Sequence, residues 1–137
     1  MTSGRRPAKG LRLSVLRGRF AVVRLAARAP LPAWASSGSF VSVTRTAAEL
    51  SIVCRERSVP AGVRREVGFR CLEVEGPFEF DAVGVLASLA APLARARIPI
   101  LALSTFDTDY LLVREVHLAA ALRALRRAGH VVSGAVE

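Results

Sequence analysis

The sequence predicts an α+β fold built twice over, each of two consecutive units running strand, helix, strand, strand, helix, strand. Three observations carry this expectation. The chain of 137 residues is 52% hydrophobic and 23% charged, so it can bury a core but is too short for a large multi-domain enzyme. It also repeats itself. Shifted by 60 residues, Ser42-Val43-Thr44-Arg45-Thr46-Ala47-Ala48-Glu49-Leu50-Ser51-Ile52-Val53 falls on Ala102-Leu103-Ser104-Thr105-Phe106-Asp107-Thr108-Asp109-Tyr110-Leu111-Leu112-Val113. Each block is an apolar strand, a polar turn ending in an acid, and a second apolar strand. A shorter echo sets Leu13-Ser14-Val15 and Gly18-Arg19-Phe20 against Leu72-Glu73-Val74 and Gly76-Pro77-Phe78. Finally, the hydrophobic period in the second half switches between 2 and 3.6, as strands and helices require. The division expected is a disordered basic tail over residues 1–10, a first module over 11–68 and a second over 69–137.

In the first module the opening strand reads as a hairpin, residues 11–16 followed by 19–25. Its helices must be short, near residues 31–36 and 58–63. Thr46-Ala47-Ala48-Glu49 has the form of a helix capping box, but the β-branched run after it and the repeat both favour a hairpin there.

The second module is plainer. Residues 71–75 alternate, Leu72 and Val74 on one side and Glu73 and Glu75 on the other, as in a half-buried strand. Residues 82–96 are good helix formers with an apolar stripe of Val83, Leu86, Leu89 or Ala90, and Leu93. Asp81 occupies the N-cap position, and Pro92 predicts a kink or a weak last turn. Residues 98–103 are continuously apolar, like a strand covered on its faces. A turn over 104–108 leads to a returning strand over 109–114. Residues 117–128 are helical again, with Arg123, Arg126 and Arg127 complementing the dipole at the C-terminal end. Gly129 stops that helix, and residues 130–134 form a last short strand. This is the split βαβ plan, ferredoxin-like, with both helices on one face of an antiparallel sheet.

Charge is unevenly spread. Residues 1–70 hold 14 basic and 3 acidic side chains, whereas residues 71–137 hold 6 and 8. A basic first half suits a nucleic-acid or acidic-membrane surface, or a merely solvated face with a disordered tail, and no aromatic-and-basic strand motif accompanies it. No apolar run is long enough to span a bilayer, and the amino-terminal stretch lacks the apolar centre of a secretory signal. Two cysteines and two histidines are too few for a disulfide framework or a zinc site. A reducing, cytoplasmic setting follows. Asp107-x-Asp109 lacks the third acid that a Mg²⁺ site would want. Cys54 and Cys71 lie in apolar strands, where thiols are usually inert. No phosphate-cradling glycine loop or nucleophile elbow is present. Neither a metal nor a cofactor is expected, nor catalysis.

The segment 104–113, together with Gly84-Val85-Leu86-Ala87, Pro92-Leu93-Ala94 and Glu49-Leu50-Ser51-Ile52-Val53-Cys54, resembles the ACT-domain-like family. The branch is that of small bacterial tandem-ACT proteins and the animal CASTOR-type arginine sensors. The resemblance runs over residues 40–132 and is strongest over 78–115. It implies side-by-side βαββαβ modules that hold an amino acid or other small effector between them and act in regulation. The Phe-Asp-x-x-Gly pattern of the sensors reads Phe80-Asp81-Ala82-Val83-Gly84 here, and their Thr-Phe-x-x-Asp segment reads Thr105-Phe106-Asp107-Thr108-Asp109. The first module lacks both patterns, so the resemblance implies one site per chain.

Elementary chemistry gives the same residues work to do. Asp81 and Asp109 can accept charge-assisted bonds from an ammonium or guanidinium. Backbone N–H groups near Val83 and Gly84, in the first helical turn, can receive a carboxylate. Gly84 allows close approach, Thr105 can donate or accept, and Phe106 can cover a side chain. Each has a plainer alternative: Asp81 as a cap, Asp107 or Asp109 as turn formers, Phe106 as core and Gly84 as a packing contact. The function expected is a non-catalytic amino-acid sensor, a homodimer with no membrane partner. The rival is a nucleic-acid-binding ferredoxin-like protein that uses the basic first half.

Overall fold

The computed structural model describes residues 10–79 and 81–134; the basic tail expected over residues 1–10 lies, but for Gly10, outside them. The chain folds as two compact units. One comprises residues 18–69. The other comprises the described residues up to 17 and from 70 onward.

In the unit of residues 18–69, strands β2 (Phe20–Leu25), β3 (Ser42–Arg45), β4 (Leu50–Arg55) and the first half of β5 (Arg65–Val74) lie in the order β3-β4-β2-β5. All three pairings are antiparallel. Alternate residues Ala21, Val23, Leu50, Ile52 and Cys54 face one core with Ala35 and Val59. The expected helices shrink to 3-10 turns at Ala33–Ser36 and Glu56–Ser58. Pro30, Pro32, Pro60 and Gly62 crowd these stretches, and each disfavours an α-helical continuation. The β3–β4 connection is a hairpin, and the capping-box residues serve it: the Ala48 and Glu49 N–H groups donate to Thr46 Oγ1 at 3.1 and 3.2 Å.

The other unit holds β1 (Arg12–Val15), the second half of β5, α1 (Val85–Arg95), β6 (Leu101–Ser104), β7 (Asp109–Arg114), α2 (Leu118–Arg127) and β8 (Val131–Ser133). Its strand order is β6-β7-β5-β1-β8. β1 is antiparallel to β5 and parallel to β8. One face of this sheet, from Leu13, Val15, Leu72, Val74, Leu111, Val113 and Val132, packs on Val85, Leu89 and Leu93 of α1 and Leu118, Ala121, Leu122 and Leu125 of α2. Both helices therefore share one face of a mixed sheet, the ferredoxin-like arrangement.

Four expectations are corrected. Residues 11–17 do not belong with 18–68, because β1 completes the sheet of the other unit; the 11–16/19–25 hairpin is replaced by pairings of β1 with β5 and β8 and of β2 with β4 and β5. The modules are thus not consecutive in sequence: residues 18–69 interrupt the other unit. The helix expected over 82–96 starts only at Val85, with Gly84 (φ 84°) as N-cap and no side-chain cap, so Asp81 does not cap it. β6 is short and largely exposed rather than covered, since Pro99 cannot donate to a ladder and β6 pairs only with β7.

Pro92 does not end α1. Its missing N–H leaves the Ser88 carbonyl without a helical donor, and His130 Nε2 lies 3.1 Å from that oxygen. The Leu11 N–H donates to His130 Nδ1 at 3.1 Å. The accepting Nδ1 fixes the neutral tautomer, so Nε2 carries the proton toward Ser88.

Candidate functional site

The loop before α1 and the β6–β7 hairpin enclose a cavity of about 240 Å³ lined by Phe78, Glu79, Ala82, Gly84, Val85, Leu86 and residues 104–109. The hairpin is built by its own hydroxyls. The Thr105 N–H donates to the Thr108 carbonyl at 2.8 Å, its hydroxyl donates to the same oxygen at 3.1 Å, and the Thr108 N–H returns to Thr105 Oγ1 at 3.2 Å. The buried Thr108 hydroxyl donates to the Val74 carbonyl at 2.6 Å, tying the turn to β5. The Phe78 N–H donates to the Asp107 carbonyl at 3.0 Å, which joins the two loops that form the cavity. Gly76 permits this approach: a Cβ there would stand 3.1 Å from the Asp107 carbonyl oxygen and 3.2 Å from Thr108 Cβ.

Four of the sequence-selected residues, Gly84, Thr105, Phe106 and Asp109, line this one cavity. Asp109 Oδ1 accepts from the Ser104 hydroxyl at 2.6 Å, which orients the carboxylate. Phe106 is 82% exposed and so is not core. Two residues are not brought in: Asp81 is exposed, and Val83 is 67% exposed, and neither lines the cavity. Their helical turn begins too late in the chain, at Gly84, for them to stand in its first turn. Phe80, the opening residue of the Phe-Asp-x-x-Gly pattern, lies outside the described residues.

Sequence reasoning passed over Glu79 as a lining residue, and weighed Asp107 only as a turn former or magnesium ligand. Their signal was proximity, Glu79 to the Phe80-Asp81 pattern and Asp107 to Asp109. With Asp109 they give the cavity three carboxylates and no basic lining residue. The first turn of α1, which has no side-chain cap, lines the same cavity through Gly84, Val85 and Leu86. Acidic side chains and a helix N-terminus lining one cavity suit a ligand carrying both signs of charge. Among the described residues no group of His, Cys, Asp or Glu is placed to hold a metal ion.

The thiols are poor nucleophiles. Burial pushes the Cys54 thiol above its usual value and, aided by the charge of Glu73, pushes Cys71 up to about 12. Both ring nitrogens of His130 are engaged, as described above. Three arginines of the basic first half are engaged internally: Arg24 Nη2 donates to the Ala48 carbonyl at 2.9 Å, Arg45 to the Ala27 carbonyl, and Arg65 to the carbonyls of Val59, Pro60 and Val63. No helix of the described residues is long and apolar enough to cross a membrane.

Comparison with known proteins agrees with this architecture. A crystal structure of protein Atu0741 from Agobacterium tumefaciens is 42% identical, covering 93% of this chain and 96% of its own, with a TM-score of 0.88. The chain belongs to the same family as Atu0741. Residues 64–127 match the model of the ACT domain, and a separate model of an N-terminal domain matches residues 18–62. The regulatory subunit of aspartate kinase from Thermus thermophilus shares the fold at 10% identity, with a TM-score of 0.62 over 85% of this chain and 96% of its own. Protein VC0802 from Vibrio cholerae does so at 19% identity, with a TM-score of 0.72 over 88% and 91%. No curated protein matches the sequence. The chain thus shares its fold with a regulatory subunit of aspartate kinase and, over residues 64–127, is similar to the ACT domain.

Proposed function

We propose that this ACT-domain protein is a non-catalytic sensor that binds a free amino acid in the cavity between the α1 entry loop and the β6–β7 hairpin. The observation that supports the reading is the lining of that cavity, which joins Glu79, Asp107 and Asp109 to the start of α1 at Gly84, Val85 and Leu86, where no side chain caps the helix. The ligand ammonium sits among the carboxylates, with Asp109 held in place by Ser104. Its carboxylate takes the backbone N–H groups, where the helix dipole favours an anion. Gly84 keeps a side chain out of that path. The exposed Phe106 closes over the ligand's own side chain, and the acidic lining favours a neutral or basic one.

Calorimetric titration against the twenty amino acids tests this. At least one should bind saturably, and Asp109→Ala should weaken it by about tenfold or more, the worth of one charge-assisted contact. Failure of all twenty to bind, or an Asp109→Ala isotherm identical to the parent, rejects the reading.

Signalling would follow from the ligand favouring one arrangement of the protein over another. Assembly as a homodimer is part of the proposal. Among the described residues β3 and β6 each pair on one side only and expose Val43 and Leu101, leaving edges that a second copy can cover. Light scattering checks it, and a monomeric mass with and without the bound amino acid would remove this part.

A further inference from the structure

A second cavity, of about 380 Å³, lies wholly within the unit of residues 18–69 and is lined by Gly18, Arg19, Arg55, Glu56, Arg57, Arg65 and Val67. Four guanidinium side chains and one carboxylate line it, the reverse of the acidic cavity. Its members differ in how they are held. Arg65 is spent on the carbonyls of Val59, Pro60 and Val63 and acts as wall. The one acid is also engaged, because Glu56 Oε1 accepts from the Gly68 N–H at 3.0 Å.

Arg55 is different. Its side chain is threaded between two turn glycines: a Cβ on Gly18 (φ +87°) would stand 3.0 Å from its Cζ, and one on Gly38 (φ +100°) 3.3 Å from its Cγ. Its Cζ lies 6.0 Å from the centroid of the Phe20 ring, which in turn meets Phe40 edge-on at 5.8 Å. So confined, a long cationic side chain loses most of its rotamer freedom on folding rather than on binding. Yet its Nε is buried without a hydrogen-bond partner among the described residues. A buried donor left unpaired is destabilising and is rarely kept without a use.

We infer that this cavity is an oxyanion site that takes the phosphate group of a small metabolite. The preset Arg55 guanidinium binds it, with Arg19 and Arg57 adding charge at the mouth. A guanidinium fork matches a phosphate's two oxygens better than a halide or a single-point acceptor does. Nucleic acid fits the surface less well. The lining offers no aromatic side chain for base stacking, and the aromatic ring beneath Arg55 is fully buried.

The test uses the full chain with inorganic phosphate as probe, followed by ³¹P line broadening and calorimetry against chloride at matched ionic strength. Saturable phosphate binding that chloride does not reproduce is expected. Arg55→Lys, which keeps the charge but loses the fork, should weaken it by about tenfold. The exposed Arg57→Gln, which leaves the packing around Phe20 untouched, should weaken it by about threefold, as for a rim charge. If Arg55→Lys fails to fold, Arg57→Gln still decides. Non-saturable binding, equal effects of chloride, or an unchanged isotherm in Arg57→Gln overturns the inference. So does a single-stranded oligonucleotide that binds with length-dependent affinity and is not displaced by phosphate.

Discussion

Cys71 shows at the scale of one residue how the fold suppresses chemistry that its composition would allow. Burial, then the neighbouring charge of Glu73, raises the thiol from 9.0 to about 12. A thiol freed by unfolding ionises above pH 9, whereas the buried one does not until about pH 12. The stability linked to this group is therefore fully present below pH 9 and is lost as pH rises toward 12. At about 1.4 kcal/mol per unit the largest loss is about 4 kcal/mol. Tyr110, raised by burial and by its 3.2 Å bond to Glu73, adds a smaller slope of the same sign. Denaturant midpoints measured from pH 8 to 12 should fall steeply in the parent and less steeply in Cys71→Ala. Parallel curves would contradict the assignment. In neutral solution Cys71 should also resist iodoacetamide until the protein is unfolded.

Single elements show where sequence patterns suffice and where they do not. β7, α2 and the strand around Leu72 and Val74 were legible because each buries its own period of apolar residues, and the β6–β7 hairpin because apolar runs bracket its polar turn. Gly84, Thr105, Phe106 and Asp109 were legible as neighbours only through the family resemblance, whose patterns set the helix entry beside the hairpin. The start of α1 was not, since a positive-φ glycine and an aspartate both make plausible N-caps, and only the backbone path chooses Gly84. What holds α1 together past Pro92 was hidden for another reason: its rescuer, His130, is 42 residues from Ser88 in the chain. That rescue is measurable. His130→Leu leaves the Leu11 N–H and the Ser88 carbonyl unpaired and should cost about 2–4 kcal/mol. Pro92→Ala restores an N–H for Ser88. In that background His130→Leu should cost about 1 kcal/mol less. Additive effects in the double-mutant cycle would show that His130 does not serve the proline.

At the scale of the whole molecule, the repeat was legible but its boundaries were not. Self-similarity records which segments share a plan; it carries no information about which segments pair. β1 has the alternation of any short strand, and its buried Leu13 and Val15 would suit either sheet. What decides is the open space between β5 and β8. A βαββαβ unit ordinarily pairs its first and last strands, whereas here β1 stands between them, with Leu13 opposite both Val74 and Val132. The unit formed around β5, α1, β6, β7, α2 and β8 is consequently incomplete without residues that precede the other unit in sequence. Native-state hydrogen exchange tests this directly. The amides of Arg12–Val15 should open together with those of Val131–Ser133 and the second half of β5, and independently of Leu50–Arg55. Removal of residues 1–17 strips β5 and β8 of a shared partner, exposing the core lined by Leu72, Val74 and Val132. The truncated chain should lose the cooperative unfolding transition of that unit and with it any amino-acid binding. A truncated chain that keeps both would mean that β8 can close directly on β5, and that β1 is dispensable.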